Sequence, residues 1–283
     1  MDYANILTLA AGAEDDAVTL TLAAELAARE RACVRVLSVM PDVPVTGWEG
    51  WGGAATGELW QALMDANADT QEKLERRARA VAEAADLPYG ATEGPGLVLL
   101  DQAIAMWQGL KDELPLADLV VAGPLSVQRD GPWMGLIGEA VMARRAPLLI
   151  AREATPPAGR PAVVFWDASL EAGHAMRAAV PLLRQASEVL ILQQPSSLDG
   201  GERDRADPAH AQAYLRRRGL SKVSVVRALS EGEDDLESVA SHYRPGLWVA
   251  GAYGHSRLGE ALVGGATRRL LARQEGPSLF IAH

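Results

Sequence analysis

Apolar residues fall along this chain in two alternating patterns. Short unbroken blocks, "VVFW" (163–166), "VLIL" (189–192), "LWVAG" (247–251) and "LFIA" (279–282), have no polar face. They predict strands covered on both sides, as in a parallel sheet. Between such blocks lie Ala/Leu-rich amphipathic stretches, as within 5–39 and 162–193, that predict helices. The succession reads β-α-β-α-β-α-β, which needs crossover helices and therefore a doubly wound, mostly parallel sheet.

The succession occurs twice. "ADLVVAGPL" (117–125) matches "PGLWVAGAY" (245–253), and "RAPLLIAR" (145–152) matches "EGPSLFIAH" (275–283). The starts correspond as well, at 5–39 and 162–193, each a strand, a polar turn, an amphipathic helix and a second strand. Two α/β domains are expected, 1–153 and 160–283, with the boundary near residue 156. The segment "REATPPAGRPA" (152–162) between them has the composition of an exposed linker. The first copy is about 30 residues longer between its second strand and its glycine turn. The excess reads as a Gly/Trp-rich loop around Trp48, Trp51 and Trp60, followed by a long charged amphipathic helix. The three tryptophans pack that helix, or else form a lid or a partner surface.

At 283 residues the chain is long enough for two domains of ordinary size. A net charge of −10 argues against nucleic acid as a partner, since such binding rests on clustered Lys and Arg. Cys33 is the one cysteine, so no disulfide forms within the chain, and its apolar surroundings predict a small buried hydrophobe. Acids at Glu14, Asp15 and Asp16 precede any long apolar stretch, and no apolar run reaches eighteen residues. A soluble cytoplasmic protein, not a membrane one, is expected.

Candidate chemistry centres on "VAGAYGHSRLGEALVGGATRRLL" (249–271). Gly251 and Gly254 permit a tight bend after a strand, and Gly264 and Gly265 open a helix whose free N–H groups favour an anion such as phosphate. Ser256 and Thr267 add hydroxyls, and Arg257, Arg268 and Arg269 add positive charge. Asp167, ending the block "VVFW", lies at the same carboxyl edge and suits a base or ribose; it reads equally well as the N-cap or turn residue of the next helix. The loop is neither a Walker loop nor a dinucleotide fingerprint. The five histidines have no zinc-site spacing, and the acids at 199, 202, 204 and 207 are too irregular for a calcium loop.

The run "GAYGHSRLGEALVGGATRRLL" resembles the G-x2-G-x9-G-[ST] signature of the universal stress protein family, and "VVFWDAS…AMRAAVPLL" resembles that family's first strand, acid and helix. The resemblance covers 160–283 closely and 3–152 loosely, so the chain is identified as a tandem member. It implies the adenine nucleotide α-hydrolase-like fold, and ATP as ligand, any Mg2+ arriving with it. Carried over, Asp167 matches the acid near adenine and ribose, and Leu192 or Gln193 falls beside the base. Ala250, Gly251, Tyr253 and Gly254 match the first half of the phosphate and ribose loop, and Gly264, Gly265, Ala266 and Thr267 the triphosphate cradle. One departure is Gly265, where the family has Ser or Thr.

The first copy departs further. Ala10 stands at the place of Asp167, Ser126 replaces the second glycine, and "GEAV" (138–141) replaces "GGAT", putting Glu139 where phosphate would sit. Nucleotide is therefore expected in the second copy alone. The resemblance implies a stress-response regulator, with hydrolysis absent or slow; the other reading is an interaction scaffold whose two sites are vestigial. The copies are expected to pair about a pseudo-twofold through the edges "PLLIAR" and "SLFIAH", with homodimerisation and protein partners left open.

Overall fold

The computed structural model describes residues 3–38, 53–100, 106–127, 145–194, 207–228, 233–252 and 265–283. Its first half contains β1 (Asn5–Ala10), α1 (Asp16–Glu30), β2 (Cys33–Ser38), α2 (Gly53–Ala84), β3 (Gly96–Leu99), α3 (Met106–Glu113), β4 (Leu119–Ala122) and β5 (Leu148–Ile150). The second contains β6 (Ala162–Phe165), α4 (Leu170–Ala178), α5 (Val180–Leu183), β7 (Val189–Gln193), α6 (Pro208–Arg217), β8 (Val223–Arg227), α7 (Glu233–His242), β9 (Leu247–Gly251), α8 (Gly265–Ala272) and β10 (Ser278–Ala282).

Ten strands form one sheet in the order β3-β2-β1-β4-β5-β10-β9-β6-β7-β8. Read outward from the centre, each half has the same doubly wound order, with parallel pairing throughout. The halves meet where β5 and β10 pair antiparallel, Leu279 opposite Ile150 and Ile281 opposite Leu148. Each half thus holds five strands, one more than the alternating pattern predicts. The added strands, β3 and β8, are the outer edges of the sheet, where Leu99 is partly exposed and Ser224 is exposed.

The central strands are buried on both faces because helices cover both. Ile6, Val34, Val121, Val164, Val249 and Phe280 face one layer of helices, while Leu7, Val120, Val163, Trp248 and Ile281 face the other. Trp248 is wholly buried and meets the Phe165 ring edge-on at a centroid distance of 5.8 Å. Helix α2 lays Leu74, Ala78 and Ala82, spaced four apart, on the first half's core, while the pairs Glu72–Arg76 and Glu75–Arg79 lie exposed. It is the long charged helix expected from the sequence, and it begins early enough to include Trp60. Trp48 and Trp51 lie outside the described residues.

The segment 152–162 differs from the exposed linker its composition predicts. Pro156 and Pro157 are buried, and the backbone of Gly246 leaves only 3.2 Å between a would-be Cβ and the Pro157 Cα. Arg160 pairs with Glu153 and donates to the Pro245 carbonyl at 2.6 Å, so the connection is packed against the second half. Across the seam the buried Tyr3 hydroxyl donates to the Ala178 carbonyl at 2.8 Å. Burial, with Glu30 and Asp118 nearby, holds that phenol well above its usual pKa and keeps it a donor.

Sheet register also corrects one correspondence. Ile6 pairs with Leu119 as Ala162 pairs with Leu247, and Leu119 and Leu247 begin the matching "LVVAG" and "LWVAG" strands. Ala10 therefore corresponds to Trp166, and Ala11, not Ala10, stands at the place of Asp167.

Candidate functional site

In each half the strand order reverses between two neighbours, β1 and β4 in the first, β6 and β9 in the second. Crevices at such reversals, outside the carboxyl ends of the strands, are where doubly wound sheets take ligands. Of the residues picked out from the sequence, Asp167, Ala250 and Gly251 stand at the strand ends that border the second of these.

Asp167 lies just past β6, and its Oδ1 accepts from the Ser169 amide at 2.9 Å. Ala168 between them adopts φ +62°, a left-handed conformation costly for a residue with a Cβ. Ser169 then caps α4, its Oγ accepting from the Ala172 amide at 3.0 Å. Asp167 is thus a turn residue, held at the strand end in a tight backbone corner. Leu192, the neighbour of Phe165 across β6 and β7, is buried, and its carbonyl accepts from the Trp166 amide at 2.9 Å. Leu192 therefore stands one strand over from Asp167, with its side chain in the core.

Ala250 and Gly251 end β9, opposite Ile281 and Ala282 of β10. A Cβ on Gly251 would stand 2.5 Å from the Ala172 nitrogen and 2.7 Å from the Glu171 carbonyl carbon. The glycine is needed because the first turn of α4 lies directly on it. Gly265, Ala266 and Thr267 form the first turn of α8. Tyr253, Gly254 and Gly264 lie outside the described residues, as do His255, Ser256 and Arg257. Arg269 faces Glu237 of α7 at 3.8 Å, which draws its charge toward α7.

Two histidines border this mouth that the sequence gives no reason to place there. His174 Nδ1 lies 2.5 Å from the His283 carbonyl, and His283 Nδ1 lies 2.9 Å from the Ala252 carbonyl, tying α4 to the ends of β9 and β10. Trp166 contributes a buried Nε1 with no hydrogen-bond partner.

The crevice of the first half is filled by the chain itself. Asp15, at the N-cap position of α1, makes no cap bond; its Oδ2 instead accepts from the Leu125 amide at 2.8 Å, beyond β4. That carboxylate occupies the space beside Gly123, where a Cβ would fall 2.1 Å from Oδ2 and 2.9 Å from Thr19 Oγ1. Asp16 is buried, its Oδ1 accepting from the Ala11 amide at 3.2 Å while its Oδ2 has no partner. Burial raises its pKa to about 6, bonds from the Ala11 and Gly12 amides opposing and the charge of Asp15 adding to the rise. Arg77 of α2 lies close enough to moderate this, and its Nη1 donates to the Ala13 carbonyl at 3.0 Å. Glu139 lies outside the described residues.

Among the described residues no group of three or more His, Cys, Asp or Glu side chains is arranged to hold a metal ion, and no helix is long and apolar enough to cross a membrane. Cys33 is buried as expected.

In fold the whole chain is similar to solved universal stress protein structures. A universal stress protein from Archaeoglobus fulgidus DSM 4304 superposes with a TM-score of 0.64 at 13% identity, covering 98% of this chain and 95% of that one. A candidate universal stress protein from Pseudomonas aeruginosa UCBPP-PA14 gives 0.55 at 13% identity over 99% and 93% of the two chains. A functionally unknown protein from Pseudomonas aeruginosa PAO1 gives 0.55 at 14% identity over 99% and 92%. No family model and no curated protein matches the sequence. At these identities the likeness establishes the fold.

Proposed function

We propose that this chain is a stress-response regulator of the universal stress type, which holds adenine nucleotide at the mouth of its second half and leaves it uncleaved or cleaves it slowly. The observation that carries this reading is the position of Asp167, an acid fixed in a tight turn at the reversal point of the strand order, with Gly251 ending the facing strand. Asp167 would accept from ribose or base, and the edge at Leu192 would flank the base. The segment from Ala250 and Gly251 through Tyr253 and Gly254 would follow the ribose and first phosphate. Gly264, Gly265, Ala266 and Thr267 would bring the amides of the α8 N-terminus to the outer phosphates, where the helix dipole favours negative charge. ATP bound there would supply its own Mg2+ and a polyanion whose presence or loss changes the local surface charge.

A second reading, a scaffold acting through protein partners, is favoured by one observation. The packing of α4 on Gly251 accounts for that glycine without any ligand.

The experiment that separates them is a thermal melt with and without millimolar MgATP, on the wild type, on Asp167→Asn and on Gly254→Val. Asparagine keeps the acceptor for the Ser169 amide, so the variant removes charge with little change to the turn. At a hundredfold excess over Kd the nucleotide should add about 2.7 kcal/mol to wild-type stability. Gly254→Val should lose that gain, and Asp167→Asn, weakened on the order of tenfold, should keep about 1.4 kcal/mol of it. Identical melts with and without nucleotide in the wild type would leave the scaffold reading.

A further inference from the structure

The end of β5 sends a cation into the second half. Arg152 donates through Nε to the Arg273 carbonyl at 3.0 Å, through Nη1 to the Pro277 carbonyl at 2.9 Å and through Nη2 to the Leu270 carbonyl. Leu270 is one of the last four residues of α8, whose carbonyls have no partner within the helix. The main-chain nitrogen of Arg152 also donates to Ser278 Oγ at 3.3 Å, at the start of β10. Burial and the neighbouring Arg273 lower the guanidinium's pKa to about 10, with Glu237 opposing, so the charge persists at neutral pH. A cation at the C-terminus of a helix complements its dipole, and a guanidinium satisfies several carbonyls in one fixed geometry.

The same turn of α8 is gripped from the other side. Glu237 of α7 pairs with Arg273 at 3.1 Å and faces Arg269 at 3.8 Å, and the Arg273 guanidinium lies 5.4 Å from the centre of the Trp248 ring. Helix α8 has eight residues, roughly 12 Å of rigid rod. Its far end is the turn of Gly265, Ala266 and Thr267. Fixing one end fixes where the other end's amides stand.

Among the described residues the arrangement has no counterpart in the first half. The repeat sets Arg152 opposite His283, and His283 bonds within its own half, to the Ala252 carbonyl and to His174. We propose that Arg152 is a positioning residue, the means by which the first half sets the anion-binding end of α8 in the second. The effect on nucleotide rests on the nucleotide-binding reading above; the effect on α8 does not.

The test compares wild type with Arg152→Gln, Arg152→Lys and Ser278→Ala. Ser278→Ala removes the main-chain bond at the same seam without touching the α8 carbonyls. Hydrogen exchange across 265–272, measured without nucleotide, should quicken in Arg152→Gln, recover in part in Arg152→Lys and stay at the wild-type rate in Ser278→Ala. Titration with ATP should show Arg152→Gln weakened on the order of tenfold, with the same ranking. Unchanged exchange in Arg152→Gln, or equal loosening in Arg152→Gln and Ser278→Ala, would overturn the assignment. Faster exchange in Arg152→Gln with no ATP binding even in wild type would support the positioning role and overturn the nucleotide reading alone.

Discussion

The two reversal points of the sheet are built from corresponding strands, β1 and β4 in one half and β6 and β9 in the other, and packed by different means. In the second half the cap residue Ser169 caps its own helix, and that helix lays its backbone on Gly251. In the first half the residue at the cap position, Asp15, leaves its helix uncapped and reaches across to the Leu125 amide and the space beside Gly123. Leu125 corresponds in the repeat to Tyr253, a residue of the proposed nucleotide loop. One half has thus satisfied from within an amide that the other would offer to an anion. On the nucleotide-binding reading proposed above, the first half closes its crevice with its own carboxylate.

The comparison breaks most visibly at the two glycines. Gly251→Val should cost on the order of 3 kcal/mol or more in a urea unfolding midpoint, because the atoms in its way are helix backbone that cannot swing aside. Gly123→Ala should cost less, about 1–2 kcal/mol, since its obstacles are the side chains of Asp15 and Thr19. Adding Asp15→Ala to Gly123→Ala should return part of that loss. A double variant no more stable than Gly123→Ala would mean that the Asp15 side chain is not what fills the first crevice.

Asp16 gives the next effect. Its folded pKa of about 6 lies above that of an unfolded aspartate, so the folded state holds the proton more tightly. Its contribution is full below the unfolded pKa and is lost as pH rises through about 6. Between roughly pH 4 and 6 stability should therefore fall by up to about 1.4 kcal/mol per pH unit from this group. Asp16→Asn should flatten that slope in unfolding measured across the same range, and an unaltered slope would count against a strained carboxylate in the first mouth. Smallest is Ser169→Ala, which removes a cap bond and should cost about 1 kcal/mol. The matching Asp15→Ala should not behave as a cap deletion, since Asp15 makes no cap bond.

Much of this architecture is legible in the residues. The paired "LVVAG" and "LWVAG" strands, the crossover helices and the placing of Asp167 and Gly251 at strand ends follow from apolar blocks and turn chemistry, which are local. What stays hidden is set by contacts distant in sequence. β3 is only four residues long and β8 mixes Ser224 and Arg227 with its valines, both at sheet edges, and the one-residue shift from Ala10 to Ala11 is visible only in the register with β4. Along the chain Asp15 and Asp16 read only as acids that precede a long apolar stretch. Only the Leu125 amide, 110 positions away, makes Asp15 an internal anion. The tightness of Gly251 is likewise legible as a need for room, but not the fact that α4 takes it up.

The most direct test of one nucleotide site in two similar halves is calorimetric titration with a non-hydrolysable ATP analogue and Mg2+, on the wild type, Asp167→Asn and Asp15→Asn. The account predicts one site per chain, weakened on the order of tenfold in Asp167→Asn and unchanged in Asp15→Asn. Two sites, a single site that disappears with Asp15→Asn but not with Asp167→Asn, or no binding at all would contradict it.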